Sequence, residues 1–179
     1  YKEKFRLRGY GEIRDDSKVF LEIKKKYQGV VYKRRTQLPM TQARSYLESG
    51  VFTEEKSQIL KEIDYFIRFY QPQPRVYLAY DREAYVGNED ESLRITIDRK
   101  IRSRSHRLEL SYDGECQVLD PGGYLMEIKV PSAYPIWLAA LLGELQIYPM
   151  SFSKYGAVYA RFLQSETESE EERICSQVY

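Results

Sequence analysis

Several short β-like segments of this chain carry a positive side chain at every second residue, and that alternation limits what the chain can fold into. Successive side chains of a strand point to opposite faces. In Lys4-Phe5-Arg6-Leu7-Arg8-Gly9-Tyr10, Lys4, Arg6, Arg8 and Tyr10 therefore share one face and Phe5 and Leu7 the other. Phe20-Leu21-Glu22-Ile23-Lys24-Lys25-Lys26 groups Glu22, Lys24 and Lys26, and Val31-Tyr32-Lys33-Arg34-Arg35 groups Lys33 with Arg35. Leu93-Arg94-Ile95-Thr96-Ile97-Asp98 and Met126-Glu127-Ile128-Lys129-Val130 repeat the pattern, with Arg94, Glu127 and Lys129 on the charged faces. Taken singly, each is an ordinary half-solvated strand with a wet polar face. Five in one chain call for more, because like charges side by side repel unless an anion lies between them. If the sheet closes with its apolar faces outward under helices, the charged faces line a tunnel suited to a polyanion.

At 179 residues with 42% hydrophobic content, the chain has the size and apolar mass of one domain, expected over residues 1–164. The net charge of +1 excludes a generally basic nucleic-acid coat, but the charge is unevenly placed. Residues 1–35 hold twelve Lys/Arg against five Asp/Glu, which points to a local site. The end of the chain, 165–179, holds five Glu against one Arg and reads as a disordered acidic tail. Cys116 and Cys175 are too few for a disulfide framework or a thiolate metal site, so both are expected as free thiols in a reducing compartment. The strongest apolar stretch, Tyr134 to Leu145, is interrupted by Pro135 and Gly143 and is too short to span a bilayer. No signal peptide is visible.

Strands are expected at Lys4 to Tyr10, Val19 to Tyr27 and Val30 to Arg35, as an antiparallel meander. A short helix opens at Pro39 and runs through Leu47, ended by Gly50. A second, from about Thr53 to Tyr70, has Thr53 as N-cap, apolar residues at helical spacing, and Pro72 and Pro74 beyond it. Further strands follow at Arg75 to Val86, Leu93 to Arg102, Arg107 to Tyr112 and Tyr124 to Val130. Pro135 to Leu145 reads as an apolar helix packed on the sheet, and Ser151 to Phe162 as a shorter one.

The lone histidine, His106, lies in an Arg-rich stretch and reads as a solvated loop residue, so Ser/His, Cys/His and multi-histidine zinc sites are poorly supported. No Gly-Lys-Ser/Thr phosphate loop exists, and Gly9-Tyr10-Gly11-Glu12 lacks the third glycine of a dinucleotide fingerprint. Phosphate recognition would then fall to side chains, for which arginine forks and lysine point charges are suited. Phosphoryl transfer from a nucleotide also needs a divalent ion, held by one or two carboxylates with substrate oxygens completing its shell. Glu22 and Glu127 lie among the bases; each either holds such an ion or salt-bridges the lysine two residues away.

The segments at residues 4–11, 21–24, 33–35, 93–98 and 126–130, with Phe152-Ser153-Lys154-Tyr155-Gly156, resemble the VTC domain, the polyphosphate polymerase domain of the vacuolar transporter chaperone complex and its bacterial relatives. That family belongs to the triphosphate tunnel metalloenzymes. The resemblance covers roughly residues 4 to 160 and implies an α+β fold, an antiparallel β tunnel with flanking helices. It also implies an ATP-polyphosphate phosphotransferase that moves the terminal phosphate of ATP onto a growing polyphosphate chain with Mn2+ or Mg2+. Carried over, Arg6, Arg8, Lys24, Arg82 and Arg94 would grip phosphate in catalysis, and Lys33, Tyr80, Ser153 and Lys154 would contact it. Glu127 would hold the metal. Arg35 and Lys129 extend the set by strand parity. The family's opening strand, helix and strand, with a further tunnel lysine, are not in this chain, so the tunnel is expected to be N-terminally incomplete. ATP and polyphosphate are the implied partners, in the cytoplasm, with a peripheral membrane association through a membrane-protein partner.

Two other functions fit a basic tunnel: a non-catalytic polyphosphate or nucleotide sensor, and hydrolysis of triphosphate by water. Nucleic-acid binding is not expected. The 17 tyrosines offer stacking surfaces, but Tyr46, Tyr65 and Tyr70 sit at helical core spacing.

Overall fold

The alternating segments at the start of the chain pair as an antiparallel sheet in the order β1 (Lys2–Arg8), β2 (Lys18–Tyr27), β3 (Val30–Pro39). This computed structural model describes residues 2–52, 57–112 and 114–161. The β2–β3 register, Tyr27 opposite Val30, leaves Gln28 and Gly29 as a two-residue hairpin. Both have positive φ, 45° and 83°, the backbone that matches the right-handed twist of the strands. The pleat sends Phe5, Leu7, Val19, Leu21 and Ile23 to one face, where two helices cover them. Helix α1 (Met40–Ser49) contributes Met40, Ala43 and Tyr46, and α2 (Gln58–Tyr70) contributes Leu60, Ile63 and Phe66. Burying each of the large aliphatic side chains is worth about 1.5–3 kcal/mol, so this core fixes which face of the sheet stays wet.

Both helices end where the sequence says they should. Gly50 adopts a left-handed φ of 70° after α1, and Gln71 ends α2 just before Pro72. The N-cap of α2 is Ser57, whose hydroxyl accepts from the Leu60 N–H at 3.3 Å; the expected start near Thr53 falls on residues outside those described. Within the core the Tyr46 hydroxyl donates to Asp64 at 2.9 Å. Burial first, and then this bond, raises its pKa well above the ordinary phenol value.

The span expected as a single domain holds two compact units. The first comprises Tyr1–Arg75 with Arg107–Asp113, and the second Val76–His106 with Gly114–Tyr179. In the second unit, β4 (Tyr77–Val86) pairs with β5 (Arg94–Arg104), whose other edge takes β6 (Gln117–Val118) at one end and β7 (Tyr124–Lys129) at the other. Helix α3 (Ile136–Glu144) and a helical run, α4, over residues 154–161 complete it. The architecture is thus α+β with antiparallel sheets.

Four expectations need correction. Residues 107–112 form no strand: Arg107 has φ 45°, a turn bonds the Tyr112 N–H to the Glu109 carbonyl at 3.3 Å, and Leu110 packs on the first unit's core. Helix α3 is not buried on the sheet; Leu138 alone of its residues is buried, and Ile136 and Trp137 are exposed. Apolar around its whole circumference, it presents hydrophobic side chains wherever it is not covered. Tyr46 is core as expected, but Tyr65 and Tyr70 are exposed, beside Phe69. Neither sheet closes on itself, so among the described residues there is no closed barrel.

Cys116 is a free thiol, while Cys175 and the acidic stretch 165–179 lie outside the described residues. No helix among the described residues is long and apolar enough to cross a membrane.

Candidate functional site

The face of the first sheet opposite its core carries the cations that the alternation grouped. Register turns the pattern along each strand into rows across the sheet. Lys4, Lys24 and Lys33 stand in one row, Arg6, Glu22 and Arg35 in the next, and Arg8, Phe20 and Gln37 in the third. Lys4, Lys24 and Lys33 are all exposed. Like charges directly opposite across strands destabilise a sheet, and a row of three lysines is an arrangement that an anion would relieve.

Glu22 is the centre of this face. The Arg6 Nε donates to it at 2.9 Å with a second contact through Nη2, and the Arg8 Nε lies 3.7 Å from its other oxygen. Its side chain is 13% exposed, against 55% for Arg6. Aromatic rings support the arginines from the same face: Arg35 lies over Phe20 at 4.9 Å, and Arg8 reaches the Tyr10 hydroxyl at 3.1 Å.

The second sheet has a tighter constellation. Arg82 on β4 and Asp98 on β5 are cross-strand partners. Arg82 donates through Nε at 2.5 Å and Nη2 at 2.7 Å, a two-pronged clamp on the carboxylate. Lys154, at the first position of α4, reaches the same carboxylate at 2.5 Å. The Tyr80 ring lies under both cations, 5.0 Å from the Arg82 guanidinium and 4.7 Å from the Lys154 ammonium. Tyr80 shares the face of Arg82 by strand parity, and a bulge lies opposite it on β5. Register shifts between Ala79 and Asp81, with Lys100 opposite at φ 49°.

Asp98 is buried, with 2% of its side chain exposed. Burial pushes its pKa up, but the bonds and charges of Arg82 and Lys154 outweigh that and hold it below the usual carboxylate value. Arg82 is pushed the other way: its bond to Asp98 raises it, against desolvation, and Glu127 adds to the rise.

Along the same face, Ala84, Thr96 and Glu127 form the next row, and Val86, Arg94 and Lys129 the row after it. Glu127 is half exposed and pairs with Lys129 at 3.2 Å. Its cross-strand partner Thr96 has a buried hydroxyl with no hydrogen-bond partner among the described residues. No group of three or more acidic, Cys or His side chains that could enclose a metal occurs among the described residues. One hard carboxylate oxygen beside an unsatisfied hydroxyl fits a divalent ion whose remaining ligands come from phosphate and water. It does not fit a closed protein cage.

In the first unit the structure thus brings together Arg6, Arg8, Lys24, Lys33 and Arg35, and in the second Tyr80, Arg82 and Lys154, with Arg94, Glu127 and Lys129 on the same face. Ser153 stands apart. Its hydroxyl accepts from the Gly156 N–H at 3.2 Å, so it caps α4 and sets where Lys154 begins. Asp98 was missed as a site residue, although it shares the parity of Arg94 and Thr96 in the strand that carries them. That parity was the available signal.

A family model described as the VTC domain matches residues 1–163. The chain belongs to the VTC domain family. No curated protein matches it. Membership gives this VTC domain a polyphosphate-related role, and the six segments that carried the resemblance all lie within the matched span.

Proposed function

We propose that this VTC domain is a metal-dependent polyphosphate polymerase that transfers the terminal phosphate of ATP to a growing polyphosphate chain. The single observation that supports it most is the row of three exposed lysines, Lys4, Lys24 and Lys33, beside the Arg6–Glu22–Arg35 row, because a chain of phosphates supplies negative oxygens at a repeat that a two-dimensional grid of cations can follow. Each charged face offers phosphate oxygens a set of cations fixed by its own sheet. ATP and polyphosphate are its substrates, in the cytoplasm, with a membrane-protein partner in a larger assembly.

In the reaction a terminal oxygen of the chain attacks the γ-phosphorus. A new P–O–P link forms, the bond between the γ-phosphorus and its bridging oxygen breaks, and ADP leaves with that oxygen's electron pair. No protein nucleophile is required. The basic side chains hold donor and acceptor in line and offset charge on the transferring group. Arg82 and Lys154 bind and orient, since the Asp98 clamp leaves each with unused N–H groups. Arg94 and Lys129 extend the cationic surface. Glu127, with Thr96 beside it, would hold Mn2+ or Mg2+, which when bound supplies charge neutralisation at the phosphates.

The test is incubation of the full-length protein with ATP and manganese. An acid-stable phosphate polymer together with ADP, abolished by chelation, is the expected result. Free phosphate without polymer would indicate a hydrolase, and binding without ADP release a sensor.

A further inference from the structure

Among the described residues, Asp98 is the one fully buried carboxylate on the charged face of the second sheet, and two of the cations proposed to bind phosphate converge on it. Resting on the polyphosphate-binding reading, we infer that Asp98 is a positioning residue that locks Arg82 and Lys154 into the spacing that receives the phosphate chain. It touches no substrate itself.

The arrangement is layered. Asp98 is buried at 2% side-chain exposure, Lys154 above it is 18% exposed, and Arg82 is 31% exposed. A ligand arriving from solvent therefore meets the cations and not the carboxylate. Arg82 spends Nε and one Nη2 hydrogen on Asp98, leaving the Nη1 pair and the second Nη2 hydrogen; Lys154 spends one of three. The Tyr80 ring beneath both cations restricts them further. Two cations against one carboxylate leave the cluster at +1, so it remains attractive to an anion.

A free arginine and a free lysine would each lose rotamer freedom on binding, and two adjacent cations would repel before phosphate arrived. Asp98 removes both penalties in advance. The same chemistry explains why the carboxylate is an Asp on the central strand. Its short side chain cannot extend past the cations into the ligand's space, as the half-exposed Glu127 one row away can.

Removing the Asp98 charge also removes a negative group near the ligand, which alone would tighten binding, so the sign of the change is decisive. Tripolyphosphate is titrated into the wild-type chain, Asp98→Asn, Lys154→Met and the double variant, with a Tm recorded for each. If the wild type binds no tripolyphosphate, the polyphosphate reading itself fails. If it binds, Asp98→Asn is expected to weaken affinity about tenfold. In the Lys154→Met background the same change should cost threefold or less, because part of what Asp98 organises is already gone. Unchanged or tighter binding in Asp98→Asn overturns the inference while leaving the polyphosphate reading intact.

A second measurement needs no variant. The Arg82 side-chain Nε–H should give a slowly exchanging 15N resonance that persists at saturating tripolyphosphate. Its loss on saturation would mean that phosphate displaces Asp98, and the positioning role would be wrong.

Discussion

The two charged sheets use the same device, a carboxylate on the middle strand facing an arginine on its neighbour, and differ in how deeply they bury it. Glu22, 13% exposed, faces an Arg6 that is 55% exposed, whereas Asp98, sealed at 2%, faces an Arg82 that is 31% exposed. Coulomb attraction between partners is similar in kind, but the medium is not. A pair open to water is screened and contributes little, while a buried carboxylate becomes costly once its partners are removed. The first sheet is therefore an adaptable cationic grid, and the second a rigid one.

Substitutions on the two sheets put that contrast to the test. The largest effect is expected at Glu127, proposed above to hold the metal: Glu127→Gln should lower polymer formation about 100-fold or more while leaving tripolyphosphate affinity nearly unchanged. Unchanged turnover would remove Glu127 from that role. Next in size is stability. Urea unfolding should show Asp98→Ala losing up to about 3 kcal/mol, and Glu22→Ala less than about 1 kcal/mol. Equal losses would erase the distinction between the more open and the sealed pair.

The difference should also appear as pH dependence. The Asp98 pKa lies below its ordinary value of 3.8 in the folded protein, so folding favours its ionised form. Its stabilising contribution is complete above the unfolded value and disappears as pH falls through the lower folded one. The stability gap between wild type and Asp98→Asn should be constant from neutral pH down to about 4 and should close in stronger acid. A gap that widens in acid would contradict the sign. The smallest effect is expected on the open grid: Lys33→Ala should weaken tripolyphosphate binding about threefold and make it less salt-sensitive.

Alternation made the first sheet readable, since the parity of Arg6, Arg8, Lys24, Lys33 and Arg35 fixes their common face whatever the register. The helices over it were legible for the same reason, through apolar spacing and the stops at Gly50 and Pro72. Register and burial were not legible. Asp98 becomes a hub only because β4 pairs so that Arg82 lies opposite it and α4 begins at Lys154, and neither fact is local to its strand. Ser153 carried a genuine signal with a different outcome, since a serine before a helix caps it first. Residues 107–112 turn instead of pairing and send Leu110 to the first unit's core, and α3 stayed exposed because hydrophobicity on every side names no particular face to bury.

On each sheet, the proposed role of the cations is to hold phosphate. Side-chain 15N resonances of Arg6, Arg8, Arg82 and Arg94, followed through a titration with a polyphosphate chain, report on both sets at once. All four should shift saturably with added polyphosphate and not with an equal concentration of chloride. Resonances that stay in place on both sheets would contradict the proposed role.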